Sequence, residues 1–194
     1  MPQRINKKRL VIASHNPGKV LEISALLSLC NIEVISAAAL GLAEPAEDGN
    51  TFIENANIKA AAAADASYLP ALADDSGLVV PSLGGAPGIY SSRWSGVNKD
   101  FYSAMKKIES QLKGKEDRQA YFVCALSLSW SDGHVETVKG NITGKLIWPP
   151  KGDLGFGYDP IFHGEGEGWV ELRLQHASHR GAKDGSVLRI AFTR

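Results

Sequence analysis

The sequence predicts an α/β fold with α+β elements, because short apolar strands and helical segments alternate along its first half. The chain has 194 residues, of which 44% are hydrophobic and 22% charged, and these ordinary values exclude a disordered chain. Its 21 basic and 21 acidic residues cancel, which argues against a dedicated binder of nucleic acid polymers or anionic membranes. We expect a single domain over residues 1–194, in one body or in two lobes.

The first strand, helix and second strand are predicted from residues 9–35. Residues 9–13 form a short apolar run rich in β-branched side chains, and apolar residues at helical spacing follow the loop at 14–19. Residues 32–35 have the composition of a second strand. This alternation is typical of a sheet covered by helices.

A second helix is predicted over residues 51–68. Thr51 and Glu54 have the spacing of a capping box, in which the first residue accepts a hydrogen bond at the start of the helix. The alanine block at 60–64 indicates close packing against a sheet or another helix.

Residues 71–80 predict a strand that ends on Asp74 and Asp75, a turn at Ser76 and Gly77, and a second short strand. Two adjacent carboxylates at the end of an apolar strand are costly unless they are paired, hydrated or bound to a cation. Neighbouring side chains of a regular strand point to opposite faces, so both can serve one site only if the chain turns there. Otherwise one is catalytic and the other structural, and a plain hairpin turn is the alternative.

The second half of the chain predicts an amphipathic helix over 99–113 and a β-hairpin. The hairpin pairs residues 120–130 with 135–138 across an Asp-Gly turn. A short final helix is expected in the tail at 178–192, weakened by Gly185.

The cysteines and the hydropathy pattern predict a cytoplasmic protein. Cys30 and Cys124 lie far apart in apolar surroundings, without the spacing of a metal site, so we expect buried thiols in a reducing compartment. The sequence has no apolar run of about 18 residues and no signal-peptide pattern, and therefore predicts no membrane span.

Charge is distributed unevenly along the chain. Residues 41–80 carry seven acids and one base, whereas residues 169–194 carry five bases and two acids. An acidic cluster that holds a divalent cation, facing basic groups that hold phosphate, would explain both regions. Two solvated helix faces are the alternative.

The loop between the first strand and the first helix predicts a phosphate site, because the backbone N–H groups at a helix start favour anions. A capped helix start with Pro17 in its first turn is the alternative. The loop residues are Ser14, His15, Asn16, Pro17, Gly18 and Lys19.

Three further segments are candidates for binding groups. On the second helix Asn55 and Lys59 lie four residues apart and share a face, so Lys59 can reach the same cleft as the aspartates or form an ion pair there. Phe156, in a glycine-rich loop, can stack on a nucleobase or belong to the core. His179 and Arg180 offer donors suited to the keto oxygens and ring nitrogens of a purine.

Six motifs together resemble the inosine triphosphate pyrophosphatase family, in its order and at about its spacings. They are SHNPGK at 14–19, TFIENANIKA at 51–60, ADDSGL at 73–78, LGGAPGIYSSRWSG at 83–96, GFGYDPIF at 155–162 and SHRG at 178–181. The resemblance implies two α/β lobes around a long mixed sheet, with a nucleotide groove between them, and a homodimer. It also implies Mg²⁺-dependent hydrolysis of the triphosphates of inosine, deoxyinosine and xanthosine to the monophosphate and pyrophosphate, which removes deaminated purines from the nucleotide pool.

The resemblance also assigns roles to residues. Asp75 matches the general base, and Asp74 and Lys59 are catalytic with it. The metal-site carboxylates are Glu47, Asp74 and Asp75. The substrate-binding residues are Ser14 through Lys19, Ser76, the base-stacking segment Phe156, Gly157, Tyr158 and Asp159, and the base-reading pair His179 and Arg180.

One position departs from the family pattern. A lysine that contacts the nucleotide usually lies four residues before the serine of SHR, and here Leu174 stands there with Arg173 beside it. Either Arg173 replaces that lysine, or substrate affinity or selectivity is altered. Two alternatives to the family activity follow: a nucleotide-binding protein with weak turnover, and a pyrophosphatase for other modified nucleotides.

Overall fold

A computed structural model of the chain describes residues 9–28, 32–152, 157–165, 168–175 and 185–192. Its strands are β1 (Arg9–Ile12), β2 (Glu33–Ser36), β3 (Ala71–Val79), β4 (Gln119–Ser129), β5 (Val135–Leu146), β6 (Phe162–Gly164), β7 (Gly168–Gln175) and β8 (Gly185–Phe192). Its α-helices are α1 (Pro17–Ser28), α2 (Phe52–Ser67), α3 (Ser91–Trp94) and α4 (Phe101–Leu112).

A mixed six-stranded sheet organises the fold, in the order β2-β1-β3-β4-β5-β6, and β7 and β8 form a separate pair. Strand β1 pairs in parallel with β2 and β3, whereas β5 and β6 are antiparallel. The predicted α/β fold with a mixed sheet is thus confirmed. In the register of β1 and β3, Ile12 lies opposite Leu72. The loop after β1 therefore begins close to Asp74 and Asp75, which come next along β3.

The described residues fall into two compact units. The first contains those of Met1–Asp75, Ala125–Lys139 and Val170–Ile190, and the second those of Ser76–Cys124, Gly140–Trp169 and Ala191–Arg194. In the first unit the alanines of α2 pack closely on β1 and β3, as the alanine block predicted. These buried residues are Ala60, Ala63 and Ala64 against Val11, Ala71 and Ala73.

The core of the second unit is built on α4. Asp100 begins the helix by accepting a hydrogen bond from the Ser103 N–H at 3.0 Å. The buried side of the helix consists of Ala104, Met105, Ile108 and Leu112, which join a core cluster with Leu78, Val80, Ile142, Leu146, Ile161 and Phe162. The predicted amphipathic helix and the predicted β4–β5 hairpin are both present.

Two sequence predictions about secondary structure are wrong. Strand β3 runs without a break from Ala71 to Val79, so Ser76 and Gly77 form no turn. Pairing within the sheet overrides the local turn preference of these residues. In the tail, residues 185–192 form strand β8 rather than a helix, in agreement with the strand preference of their β-branched Val187 and Ile190.

Two further sequence features are located by the structure. Cys124 is a buried thiol, as expected, whereas Cys30 lies outside the described residues. Among the described helices, none is both long and apolar enough to cross a membrane.

Candidate active site

The two aspartates of β3 have different partners. Because β3 is continuous, its side chains alternate between faces, and Asp75 shares a face with Ala71 and Ala73, which pack against α2. Asp74 lies on the opposite face. Each aspartate therefore has its own environment, as expected for a regular strand, in which neighbouring side chains point to opposite faces.

Asp74 binds Lys19 of α1. The Nζ atom of Lys19 donates to Oδ2 of Asp74 at 2.5 Å, and 27% of the lysine side chain is exposed. The ammonium group has three donors, so Lys19 can make this bond and still donate to another acceptor.

The loop before α1 is held by its own side chains. Oγ of Ser14 accepts a hydrogen bond from the Asn16 N–H at 3.1 Å, and Oδ1 of Asn16 accepts one from the Gly18 N–H at 3.0 Å. This is the arrangement of the capped helix start that the sequence analysis weighed against a phosphate site. Phosphate binding by residues 14–19 stays a prediction.

Asp75 is buried, with 7% of its surface exposed, and meets two residues of α2. Nδ2 of Asn55 donates to Oδ2 of Asp75 at 3.1 Å, and Nζ of Lys59 lies 3.9 Å from Oδ1. Asn55 and Lys59 are both buried and are one helical turn apart. The prediction that they share a helix face is confirmed, and this face meets Asp75, with which Lys59 forms an ion pair.

Burial raises the pKa of Asp75 from 3.8 to about 6. The positive charge of Lys59 and the hydrogen bond from Asn55 oppose this rise in the pKa, while the charges of Glu47 and Asp74 add to it. A carboxylate whose pKa lies near neutrality is suited to accept a proton from water, because general bases work best close to the working pH.

Glu47 brings a second carboxylate to the same lysine. Nζ of Lys59 donates to Oε1 of Glu47 at 2.5 Å, so Glu47 and Asp75 share one ammonium group. Such hard oxygen donors fit Mg²⁺, which proteins usually bind through one or two carboxylates together with substrate phosphates. Within the described residues no three acidic, His or Cys side chains form a metal cluster. Asp74, the third predicted ligand, binds Lys19, and metal binding by these carboxylates stays a prediction.

Gly49 is a contributor that the sequence analysis missed. Its N–H donates to Oδ1 of Asn55 at 2.9 Å, and a Cβ atom added to it would lie 2.7 Å from that same oxygen. The sequence analysis placed Asn55 on the correct helix face but gave it no role. A polar amide in an alanine-rich helix was the available signal for Asn55, whereas a loop glycine such as Gly49 offers none.

A pocket in the first unit brings the loop before α1 close to α2. His15 and Lys59 both line it, so the structure unites two of the predicted site residues around one space. The other lining residues are Ala13, Ala37, Leu42, Ala43, Glu44, Pro45 and Ala63.

The remaining predicted site residues are placed as follows. Ser76 is half-buried in β3, directly after Asp75. Tyr158 lies in the core of the second unit, where its hydroxyl donates to the Ser91 carbonyl at 2.8 Å and its ring meets Phe101 edge-on. The alternative of a core aromatic that anchors its loop therefore holds for Tyr158.

The neighbours of Tyr158 continue this loop. Gly157 adopts a φ of 70°, a left-handed conformation that favours glycine, and Asp159 starts a short 3-10 helix. Phe156, His179 and Arg180 lie outside the described residues. Arg173 and Leu174 lie in β7.

A family model described as the Ham1 family matches residues 10–182 of the chain. A dITP/XTP pyrophosphatase of Zymomonas mobilis is 57% identical over 167 residues, which cover 84% of this chain and 80% of that protein. A dITP/XTP pyrophosphatase of Rhodospirillum centenum is 54% identical over 199 residues and covers 98% of both. The family resemblance found from the six motifs is thus confirmed.

Solved structures agree with the sequence relatives. The Ham1 protein of Staphylococcus aureus superposes with a TM-score of 0.73 at 40% identity and covers 80% of each chain. A HAM1 protein from Coxiella burnetii has a TM-score of 0.75 at 39% identity and covers 79% of this chain and 80% of its own. By sequence, by family model and by fold, this chain belongs to the Ham1 family.

Proposed function

We propose that this protein hydrolyses the triphosphates of deoxyinosine, inosine and xanthosine to the nucleoside monophosphate and pyrophosphate. The observation that carries the proposal is the buried Asp75 carboxylate, held by Asn55 and close to a lysine that also binds Glu47. The relatives named dITP/XTP pyrophosphatase, up to 57% identical, supply the substrate class.

The base in this proposal is Asp75. Its raised pKa of about 6 lets it take a proton from a water molecule, which attacks the α-phosphorus in line with the leaving pyrophosphate. Asp75 is buried away from bulk solvent, and the nearby ammonium group of Lys59 stabilises the carboxylate before it accepts the proton.

The two lysines are suited to hold the polyphosphate. An ammonium group has three donors, so Lys59 and Lys19 can each keep a carboxylate and bind a phosphate oxygen at the same time. Glu47, with Asp74 or Asp75, would hold Mg²⁺. When bound, the ion would neutralise charge on the phosphate oxygens.

Selectivity for a 6-keto purine is proposed to come from Arg180 and His179, with Phe156 stacked on the base. An adenine amino group facing a donor such as Arg180 would leave both donors unsatisfied, a mismatch that disfavours the wrong base by roughly 10⁴ or more. The family relationship is the support for these roles, for a homodimer and for a cytoplasmic location. Sedimentation and cell fractionation test the last two.

The test is pyrophosphate release from dITP, XTP, ATP, GTP and modified pyrimidine triphosphates, each measured with Mg²⁺ and with EDTA. We expect fast release from dITP and XTP alone, dependent on Mg²⁺, and none above background from the Asp75→Asn variant. Equal release in EDTA would contradict the metal requirement. Nucleotide binding without release would instead favour a nucleotide-binding protein, and release from modified pyrimidine triphosphates alone would favour a different modified substrate.

A further inference from the structure

The side-chain amide of Asn55 is bound at both ends. Asn55 is fully buried in α2. Its Oδ1 accepts from the Gly49 N–H at 2.9 Å, and its Nδ2 donates to Oδ2 of Asp75 at 3.1 Å. A backbone N–H can only donate, so Gly49 forces the oxygen of the amide towards itself and the NH₂ group towards Asp75.

The loop before α2, which we call the α2 entry loop (residues 47–51), is itself fixed to the helix. The Asn50 N–H donates to Oε2 of Glu54 at 2.6 Å, and the Glu54 N–H donates to Oγ1 of Thr51 at 3.1 Å. This is a variant of the predicted capping box, because the glutamate accepts from the residue before the cap rather than from the cap itself. The bond from Asn50, the residue next to Gly49, ties the entry loop to α2, whereas the bond to Thr51 caps the helix itself.

Gly49 cannot carry a side chain without disturbing this contact. A Cβ atom would lie 2.7 Å from Oδ1 of Asn55 and 2.7 Å from Cβ of Glu54, closer than real Cβ contacts. Glycine is therefore required here for a close approach of the backbone.

We propose that Asn55 and Gly49 are positioning residues for the reaction: Gly49 fixes the amide of Asn55, and Asn55 fixes the rotation of the Asp75 carboxylate. The inference rests on the proposed function. It goes beyond that function because it explains how the carboxylate of Asp75 is oriented, through the contacts of Asn55 with Gly49 and with Asp75.

The consequence is an effect on turnover rather than on substrate binding. A general base must lie within hydrogen-bond distance of the water it deprotonates, in the correct orientation, and misplacement by about 1 Å can cost 10²-fold. Asn55 is fully buried, so we expect it to act through Asp75 and not through contact with the substrate.

The test measures kcat and KM for dITP in three variants: Asn55→Ala, Gly49→Ala and the double variant that carries both changes. Thr51→Ala is measured beside them as a control. Outer-shell partners of this kind typically contribute roughly 10- to 100-fold, so we expect Asn55→Ala to lower kcat by that factor with KM within about twofold. Gly49→Ala should lower kcat similarly. The double variant should be no slower than Asn55→Ala, because both changes act through the same amide.

Thr51→Ala is the matched control. It removes the hydrogen bond to the Glu54 N–H and so destabilises the start of α2, but leaves the contacts of Gly49 and Asn55 in place. We expect a lower Tm with kcat within about twofold of the wild type. A kcat of Asn55→Ala within twofold of the wild type, or losses that multiply in the double variant, would overturn the proposal.

A metal-free measurement separates this inference from the proposed function. In EDTA, Asn55→Ala is introduced into the wild type and into the Asp75→Ala variant, and the two decreases in Tm are compared. The decrease should be larger in the wild type, because only there does a buried carboxylate lose a hydrogen-bond donor. Equal shifts in the two backgrounds would overturn the contact on which the inference rests. An inactive wild type would contradict the proposed function, and this comparison of Tm values would still test the contact between Asn55 and Asp75. If Asn55→Ala does not fold, Asn55→Ser replaces it in both measurements.

Discussion

Two lysine–carboxylate pairs lie on the two long helices of the first unit, with Lys19 in the first turn of α1 and Lys59 in the middle of α2, and the two lysines differ in exposure. At α1, Lys19 binds Asp74 with 27% of the lysine side chain exposed, beside a loop whose side chains bond to their own backbone. At α2, Lys59 binds Glu47 with only 10% of its side chain exposed and lies near a second buried carboxylate, Asp75.

The difference separates two kinds of chemistry. A partly exposed ammonium group can bind an arriving polyanion at little cost, because it is still in contact with water. Asp75 has a raised pKa and a hydrogen bond from Asn55 that orients it, which are the properties of a base. Lys19 is therefore suited to bind the substrate, whereas the α2 side adds proton transfer by Asp75 to the binding of phosphate by Lys59.

The largest effect is expected at Asp75. Asp75→Asn keeps the shape of the side chain but cannot accept a proton, so kcat for dITP should fall by about 10³-fold. Steady-state pyrophosphate release measures it, and Asp65→Asn, which neutralises an exposed carboxylate on α2, is the control. Turnover by Asp75→Asn close to that of the control would remove Asp75 from the role of base.

A smaller loss is expected when the buried lysine is neutralised. Lys59→Met leaves Glu47 and Asp75 without their shared cation and removes a charge beside the phosphates, so kcat/KM should fall by about 10²-fold. Lys115→Met, at an exposed position, controls for the loss of a positive charge. Equal kinetics for the two variants would show that Lys59 contributes nothing to the reaction.

The burial of Asp75 should appear in the stability of the metal-free protein. The folded state keeps the Asp75 proton up to its pKa of about 6, whereas the unfolded chain releases it near 3.8. The contribution of this proton to stability is complete below pH 3.8 and is lost as the pH rises to about 6. Relative to Asp75→Asn, the wild type should lose on the order of 2 kcal/mol in its free energy of unfolding over this interval. Denaturant titrations in EDTA test this, and a difference that does not vary with pH would contradict it.

The smallest effect is expected at the exposed lysine. Lys19→Met should raise KM for dITP by about tenfold, equivalent to about 1.4 kcal/mol of substrate binding, with kcat little changed. Its free energy of unfolding should fall as well, because Asp74, with only 10% of its side chain exposed, loses the cation that pairs with it. If Lys19→Met lowered kcat as much as Lys59→Met does, the two lysines would not differ in their contribution to turnover, and the proposed difference between them would be contradicted.

The α2 side was the most predictable part of the site. Helical spacing alone places Asn55 and Lys59 on one face, and Thr51 caps the helix as its spacing with Glu54 predicts. Both features depend on residues close together in the sequence, where periodicity and capping chemistry are decisive.

Features that depend on distant parts of the chain were not predictable in this way. The turn expected at Ser76 and Gly77 is absent because strand pairing with other segments keeps β3 extended. The contact of Gly49 with Asn55 depends on how the entry loop folds back onto α2, and no pattern of residue types encodes it.

Hydrolysis of dITP in water enriched in ¹⁸O tests the central claim most directly. If Asp75 activates a water molecule that attacks the α-phosphorus, mass spectrometry should find one ¹⁸O atom in the deoxyinosine monophosphate and none in the pyrophosphate. Label in the pyrophosphate, or the release of orthophosphate in its place, would show attack at another phosphorus atom and contradict the account.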